Sequence, residues 1–243
     1  MRLVGRLGIM QPYFFPYLGH FALIAACDRW AVFDTCQYAP RSWMNRNRVL
    51  HPAGGWAWAT APLQNGSIHI RACDALLADP AAARRSLLGS LSHLRRKAPY
   101  HDAVVALVEG VFQGAGPSLV ALNVRALDAV CRYIGLPFRH ATLSGLGLSL
   151  PDRMAPGGWA PAICAALCAS CYVNPAGGRA LFDPADFARH GIALHFAEAL
   201  PFTYATPGAA FVPDLSILDV LLWNPPDAVL AAVRTGLRVS PAR

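Results

Sequence analysis

Residues Leu7–Asp34 read LGIMQPYFFPYLGHFALIAACDRWAVFD, and the order of patterns inside this stretch decides the fold. Leu7-Gly8-Ile9-Met10 is a short apolar run that ends at the polar Gln11, as expected for a strand buried on both faces. Pro12 and Pro16 interrupt any regular element. Gly19 to Cys27 is then apolar except for His20, over a length that suits a buried helix, and Trp30 to Asp34 is a second strand-like run. Strand, loop, helix and strand in this order form the unit from which parallel sheets grow. Its crossover is right-handed, and ligands gather at the carboxyl ends of its strands. Pro12 to Leu18 and Asp34 to Asn47 are therefore expected on one rim of the sheet.

Further along the chain the same alternation continues. A strand or hairpin is expected from Trp56 to Leu63, and a further extended piece at Ile68 to Arg71. Residues 72–135 read as a helical central section. Asp79-Pro80 opens its first helix by capping the free amides and placing proline where its missing N–H costs nothing. Ala83, Leu87, Leu91 and Leu94 recur at helical spacing until Pro99. Helices follow at Tyr100 to Phe112 and Pro117 to Ile134, the second stopped by Gly135 in the left-handed position. Beyond them come a strand at Phe138 to Leu143, a loop from Ser144 to Gly158, a helix at Trp159 to Ala169 and a strand at Cys171 to Val173. Asp183-Pro184 starts a capped helix that ends at Gly191, and Ile192 to Phe196 is a strand. Ser216 to Asp219 resembles a capping box for a helix through Trp223, and Pro226 opens the last helix. The expectation is an α/β fold with a mixed or mostly parallel sheet flanked by helices, a Rossmann-like N-terminal unit and a helical central section, with residues 1-243 as a single domain.

A chain of 243 residues can bury a large core without disulfide or metal staples. The hydrophobic content of 55% comes largely from dispersed alanine. The longest charge-free stretch, Ala155 to Gly178, is interrupted by Pro156, Pro161 and Pro175, so no span suits a membrane. Met1 to Leu7 leads into Gln11 and Pro12 instead of a sustained apolar segment, which points to a cytoplasmic protein. The cysteines number seven; Cys164, Cys168 and Cys171 read as small hydrophobes on an apolar helical face and not as metal ligands. The histidines show no metal-ligand spacing, and no cofactor is expected.

The formal net charge of +7 rests on arginine, with Lys97 alone as lysine. Planar, permanently charged guanidinium groups favour an anionic partner. Asn45-Arg46-Asn47-Arg48 concentrates this chemistry beside Gln37 and Tyr38. In an extended segment Arg46 and Arg48 point to one side and could clamp a phosphate or carboxylate, with Asn45 and Asn47 opposite; the alternative is bracing of the loop. Gln11 at the end of the first strand and Tyr13 in the stiffened loop are candidates for lining a small-molecule pocket. Asp34, ending the second strand, is a candidate catalytic base. Tyr17-Leu18-Gly19-His20 resembles the glycine–histidine helix entry of nucleotidyltransferases, which makes His20 a second catalytic candidate, although the first histidine of that motif is missing. Asn123 and Asp219 are candidate polar contacts, Asp219 sharing its role with helix capping. Cys36 reads as a passive thiol.

The block Ile9-Met10-Gln11-Pro12-Tyr13-Phe14-Phe15-Pro16-Tyr17-Leu18-Gly19, continued by Phe33-Asp34, Gln37-Tyr38 and Trp43-Met44-Asn45-Arg46-Asn47-Arg48, resembles the opening signature of the WbqC-like proteins. Lys97-Ala98-Pro99-Tyr100, Asn123, Gly177-Gly178, Gly191-Ile192 and Phe211 to Asp219 follow in the family's order. The chain departs from the pattern at Thr35-Cys36, where a second acidic residue is usual, and at Thr142 and Ser144, which only partly represent a serine pair. It departs again at Tyr204-Ala205-Thr206, which lacks a glutamine. The resemblance implies a role in bacterial surface-polysaccharide or specialised-metabolite biosynthesis. The expected activity is transfer of an acyl, aminoacyl or glycosyl group to an amino or hydroxyl acceptor, with an anionic small-molecule or nucleotide-linked substrate. Two alternatives stand beside it: a non-catalytic binding or scaffold protein for a nucleotide-linked intermediate, and an aminoacyl-tRNA-binding protein that uses the basic residues Arg84 to Lys97.

Overall fold

The computed structural model describes residues 3–151 and 153–242. Strand β1 (Leu3–Met10) runs into the loop Gln11 to Tyr17, then helix α1 (Leu18–Ala25) and strand β2 (Arg29–Val32). β1 and β2 pair in parallel, Leu7 opposite Arg29 through Met10 opposite Val32. Helix α1 buries Leu18, His20, Phe21, Ala22, Leu23 and Ile24. It is apolar nearly all round because it lies between the sheet and a later helix, and so has no solvent face to keep polar.

A separate antiparallel pair follows, β3 (Arg46–Leu50) with β4 (Trp56–Thr60). The helical section comprises α2 (Pro80–Leu91), α3 (His101–Phe112) and α4 (Leu119–Ile134). Asp79 accepts a hydrogen bond from the Ala82 amide at 3.0 Å, and Ser118 does the same for Ala121 at 3.2 Å. That cap sets the start of α4 at Leu119, two residues after Pro117. Gly135 ends α4 at φ 73°, a conformation that costs glycine nothing.

The chain then adds β5 (His140–Thr142), the short α5 (Leu143–Leu146), α6 (Trp159–Ala166), β6 (Ala169–Pro175), α7 (Pro184–Ala188) and β7 (Ala193–Ala199). It ends with α8 (Ile217–Trp223), α9 (Pro226–Thr235) and β8 (Leu237–Pro241). The main sheet has six strands in the order β5-β2-β1-β6-β7-β8, all parallel except β8, which runs antiparallel to β7. One sheet face packs with α1, α8, α9 and the helical section into a large apolar core; the other carries α6 and α7 over a second core that includes Ile9, Ile163, Tyr172 and Phe187. The α/β fold with a mostly parallel sheet between helices is thus as expected.

Several local expectations need correction. The segment from Ser144 begins inside a helical turn, α5, instead of in loop. Ile68 to Arg71 is not a strand; Arg71 makes a lone bridge to Gln37. Strand β8 was not anticipated, because its half-exposed edge shows no clean alternation and ends in Pro241. Of the three late cysteines, only Cys164 lies on the helix; Cys168 is exposed at φ 53° beyond it, and Cys171 sits on β6. The capping box fails as well: Ser216 accepts from the Leu218 amide, while Asp219 accepts from the Leu50 amide on β3.

Candidate functional site

Connections leave β1 toward β2 on one side and β6 toward β7 on the other, so the sheet reverses its direction of growth between β1 and β6. A crevice opens at the carboxyl ends of strands at such a point. Here those ends are Met10-Gln11 and Asn174-Pro175. The loop that closes the crevice, Pro12 to Tyr17, is held from several distant segments. Asn123 Nδ2 donates to the Pro12 and Met44 carbonyls, both at 2.8 Å. Asn47 Nδ2 donates to the carbonyls of Phe14 at 3.0 Å and Phe15 at 2.9 Å. Ser216 Oγ donates to the Phe15 carbonyl at 2.8 Å, and the Ile217 amide to Pro16 at 2.9 Å. Phe15 itself sits at φ 39°, a strained position for a bulky residue that persists only where surrounding contacts over-determine it.

Two hollows flank this loop. The smaller, of about 410 Å³, is a half-open cavity lined by Met10, Tyr13, Tyr17, His20, Leu23, Trp43, Asn47, Arg48, Pro175, Ala197, Asp214 and Leu237, among others. An open cleft of about 1080 Å³ is lined by Gln11, Tyr13, Phe33, Cys36, Gln37, His69, Arg71, Arg153, Trp159 and Asn174, among others. Met10 and Tyr13 belong to both, so the Tyr13 side chain is a shared wall.

In the smaller cavity the charged groups are Arg48 and Asp214; the Arg48 guanidinium donates to the Asp214 carbonyl at 2.8 Å while its Nε has no partner among the described residues. His20 packs against Tyr13 and Trp30. Burial pushes its pKa down to about 3, so the imidazole is neutral at physiological pH, and its Nε2 has no partner among the described residues. Burial raises Tyr13 and Tyr17, and the Asp214 carboxylate adds to the rise at Tyr17. The Tyr17 ring folds over Gly19, where a Cβ would collide with it. The glycine at this helix entry therefore makes room for the chain's own tyrosine.

In the cleft, Cys36 is pushed up to about 12, chiefly by burial, with the Gln11 hydrogen bond opposing and Asp34 adding to the rise. It is a neutral thiol, without nucleophilic thiolate. Gln37 donates to the Ile68 carbonyl at the cleft's edge.

The remaining candidates lie elsewhere. Asp34 is 1% exposed and accepts from both the amide and the hydroxyl of Ser144, which fixes the start of α5. Tyr38 is buried in the larger core. Asn45 Nδ2 donates to the Ala61 carbonyl at 3.2 Å within the hairpin. Arg46 donates to the Arg41 carbonyl at 2.6 Å and lies over the Trp58 ring, outside the smaller cavity. Asp219 is buried under β3; burial raises its pKa to about 7 despite the Leu50 N–H, and Oδ2 has no partner among the described residues. Of the sequence candidates, the smaller cavity thus gathers Tyr13, His20, Asn47 and Arg48, and the cleft gathers Gln11, Tyr13 and Gln37. Sequence reasoning missed Trp43, Asp214, Arg153 and the β6–β8 side of the cavity, which come together only through the order of strands. In the basic segment, Arg84 pairs with Glu109 at 2.8 Å and Lys97 donates to the Gly208 carbonyl at 2.9 Å. Among the described residues no group of three His, Cys, Asp or Glu side chains could hold a metal ion, and no helix is long and apolar enough to cross a membrane.

The model of the WbqC-like protein family matches residues 11–231. The uncharacterized protein Rv1507c of Mycobacterium tuberculosis is 29% identical over 224 residues, covering 89% of this chain and 92% of that protein. No solved structure matches the chain.

Proposed function

The chain belongs to the WbqC-like protein family, and from that premise we propose that it is a group-transfer enzyme with an anionic donor and an amino or hydroxyl acceptor. The observation that carries this reading is the pair of hollows sharing Met10 and Tyr13. Transfer requires two substrates to meet across a short gap in a fixed orientation. Two unequal hollows with a common wall on a braced loop provide that arrangement, whereas a single-ligand binding protein needs only one of them.

In this reading the smaller cavity takes the transferred group. At 410 Å³ it falls within the size range of small-molecule sites. Arg48 holds the donor's phosphate or carboxylate, and Met10, Leu23 and Leu237 face the apolar part. The acceptor enters by the open cleft past Gln11 and Gln37. His20, as a neutral imidazole, accepts a hydrogen bond from the acceptor's amine or hydroxyl when the reactants meet. Asn47, Asn123 and Asp34 act as positioning residues: the first two hold the loop, and the third holds the turn at Ser144. The single α/β unit carries both hollows.

The test is incubation with acyl thioesters, nucleotide sugars and aminoacyl-tRNA as donors, over a panel of amine and hydroxyl acceptors, with products followed by mass. A product is expected from one donor class. Arg48→Ala should lower kcat/KM by about 10- to 100-fold, as for loss of a hydrogen-bonded charge. Donor-induced thermal stabilisation without any product over the whole acceptor panel would reject transfer in favour of a binding protein.

A further inference from the structure

The outer face of the β3–β4 hairpin carries a cluster that the core does not require and that meets the smaller cavity only through Trp43 and Arg48. Directly opposed residues share a face, and here Arg48 opposes Trp58 while Leu50 opposes Trp56. Arg46, Arg48, Trp56 and Trp58 therefore stand on one side, and the buried Asn47, Val49 and Ala59 on the other. Trp43 joins from the preceding loop. The three tryptophans are 40% to 43% exposed, with ring centres 5.4 Å apart for Trp43 and Trp58 and 5.0 Å apart for Trp56 and Trp58. The Arg46 guanidinium lies 3.9 Å from the Trp58 ring centre, and that of Arg48 5.5 Å from both Trp43 and Trp56. Single exposed apolar side chains need no explanation, but a contiguous exposed aromatic cluster marks a binding surface.

The chemistry of the cluster selects its occupant. Arg46 and Arg48 donate only to neutral carbonyls, those of Arg41 and Asp214. Neither makes an ion pair among the described residues, so both charges are free to meet an anion. Flat ring faces beside guanidinium groups suit a base stacked on indole with its phosphates on arginine. A neutral sugar ring would stack on the indoles but leave both guanidinium charges without an anion. Arg48 also lines the smaller cavity, so a phosphate held there stands at the junction of platform and cavity.

We propose that this hairpin face binds a nucleoside phosphate, with the base stacked on Trp56 against the edge of Trp58, whose ring stands at 77° to it, and the phosphates on Arg46 and Arg48. The group carried by those phosphates is directed into the cavity. The proposal rests on the donor role given above to that cavity. A free nucleotide and the exposed end of an RNA share this chemistry.

The experiment is calorimetric and fluorescence titration of the full chain with ADP, UDP, ribose 5-phosphate, a short single-stranded oligoribonucleotide and phosphatidylglycerol vesicles. Trp56→Ala/Trp58→Ala is the variant, with its fold checked by circular dichroism. Nucleotides should quench tryptophan emission and bind at least tenfold more tightly than ribose 5-phosphate, and the variant should lose that advantage. Tighter binding of the oligoribonucleotide than of ADP, equally lost in the variant, would identify RNA as the source and support the proposal. Equal affinity for ADP and ribose 5-phosphate in the unaltered protein overturns it, whatever the variant does. Binding to vesicles but not to nucleotides also overturns it, in favour of a membrane surface. Nucleotide stacking without catalysis would leave this inference standing while rejecting transfer, and turnover of a donor lacking a nucleotide would do the reverse.

Discussion

Replacing Asn123 with leucine isolates the bracing of the rim loop from the surfaces that would touch a ligand. The side chain is wholly buried on α4, and Nδ2 supplies one donor each to the Pro12 and Met44 carbonyls. Leucine keeps the branched shape and heavy-atom count and is a good helix former, so the change removes two hydrogen bonds while adding only the extra bulk of two methyl groups. Each buried carbonyl left without a donor costs roughly 1–3 kcal/mol. Removal of the amide's own unpartnered oxygen returns part of this, for a net loss of about 2–4 kcal/mol. For a chain of 243 residues that loss lowers Tm by roughly 5–15 °C. Urea unfolding followed by far-ultraviolet dichroism should show a lower midpoint at unchanged slope. A destabilisation below about 0.5 kcal/mol, within the range of ordinary surface changes, would refute the view that these bonds hold the loop.

Asp219→Asn tests the buried carboxyl. Its folded pKa of about 7 lies above the reference value of 3.8, so its contribution is fully present below about pH 4 and is lost as pH rises through 7. At about 1.4 kcal/mol per unit the loss approaches roughly 4 kcal/mol. The variant should gain stability over the parent at pH 8.5 and little at pH 4, and equal shifts at both would contradict the assignment. Gly19→Ala should raise helix propensity by about 1 kcal/mol yet fail to stabilise the protein, because the new Cβ displaces the Tyr17 ring. Combining it with Tyr17→Ala should recover the gain in Tm, and a stabilised single variant would show that the ring moves freely.

The parallel unit was legible because β1, α1 and β2 are each apolar at the right period, and because capping signals at Asp79 and Asp183 act locally. The rim loop stood out as a candidate site from its proline and aromatic content and from the polar run 45–48. What the sequence could not reveal is which polar side chains turn inward. Asn45, Asn47, Arg46 and Arg48 look alike as donors, and the hairpin register alone assigns the asparagines to carbonyls beneath it and the arginines to the indoles outside. The candidate base Asp34 likewise stood next to the signature, but its partner Ser144 lies 110 residues away, a distance at which no local pattern operates. The exposed tryptophans were hidden for a different reason. In a run such as WAWAT (Trp56–Thr60), large apolar residues announce a core, and here the small alanines face inward.

The central place of β1 in the sheet also sets a timetable for the newborn chain. Its neighbour β6 starts at Ala169, and the serine that fixes the Phe15 carbonyl is 201 residues downstream. At translation rates of about 5–20 residues per second, the first strand waits roughly 10–40 s for the partners that complete the crevice. Until then it exposes an unpaired edge and the Phe14 and Phe15 rings, a ready target for chaperones or for other copies of the chain. Contacts of such long sequence separation also form late in refolding, so ligand binding should recover after helical dichroism does.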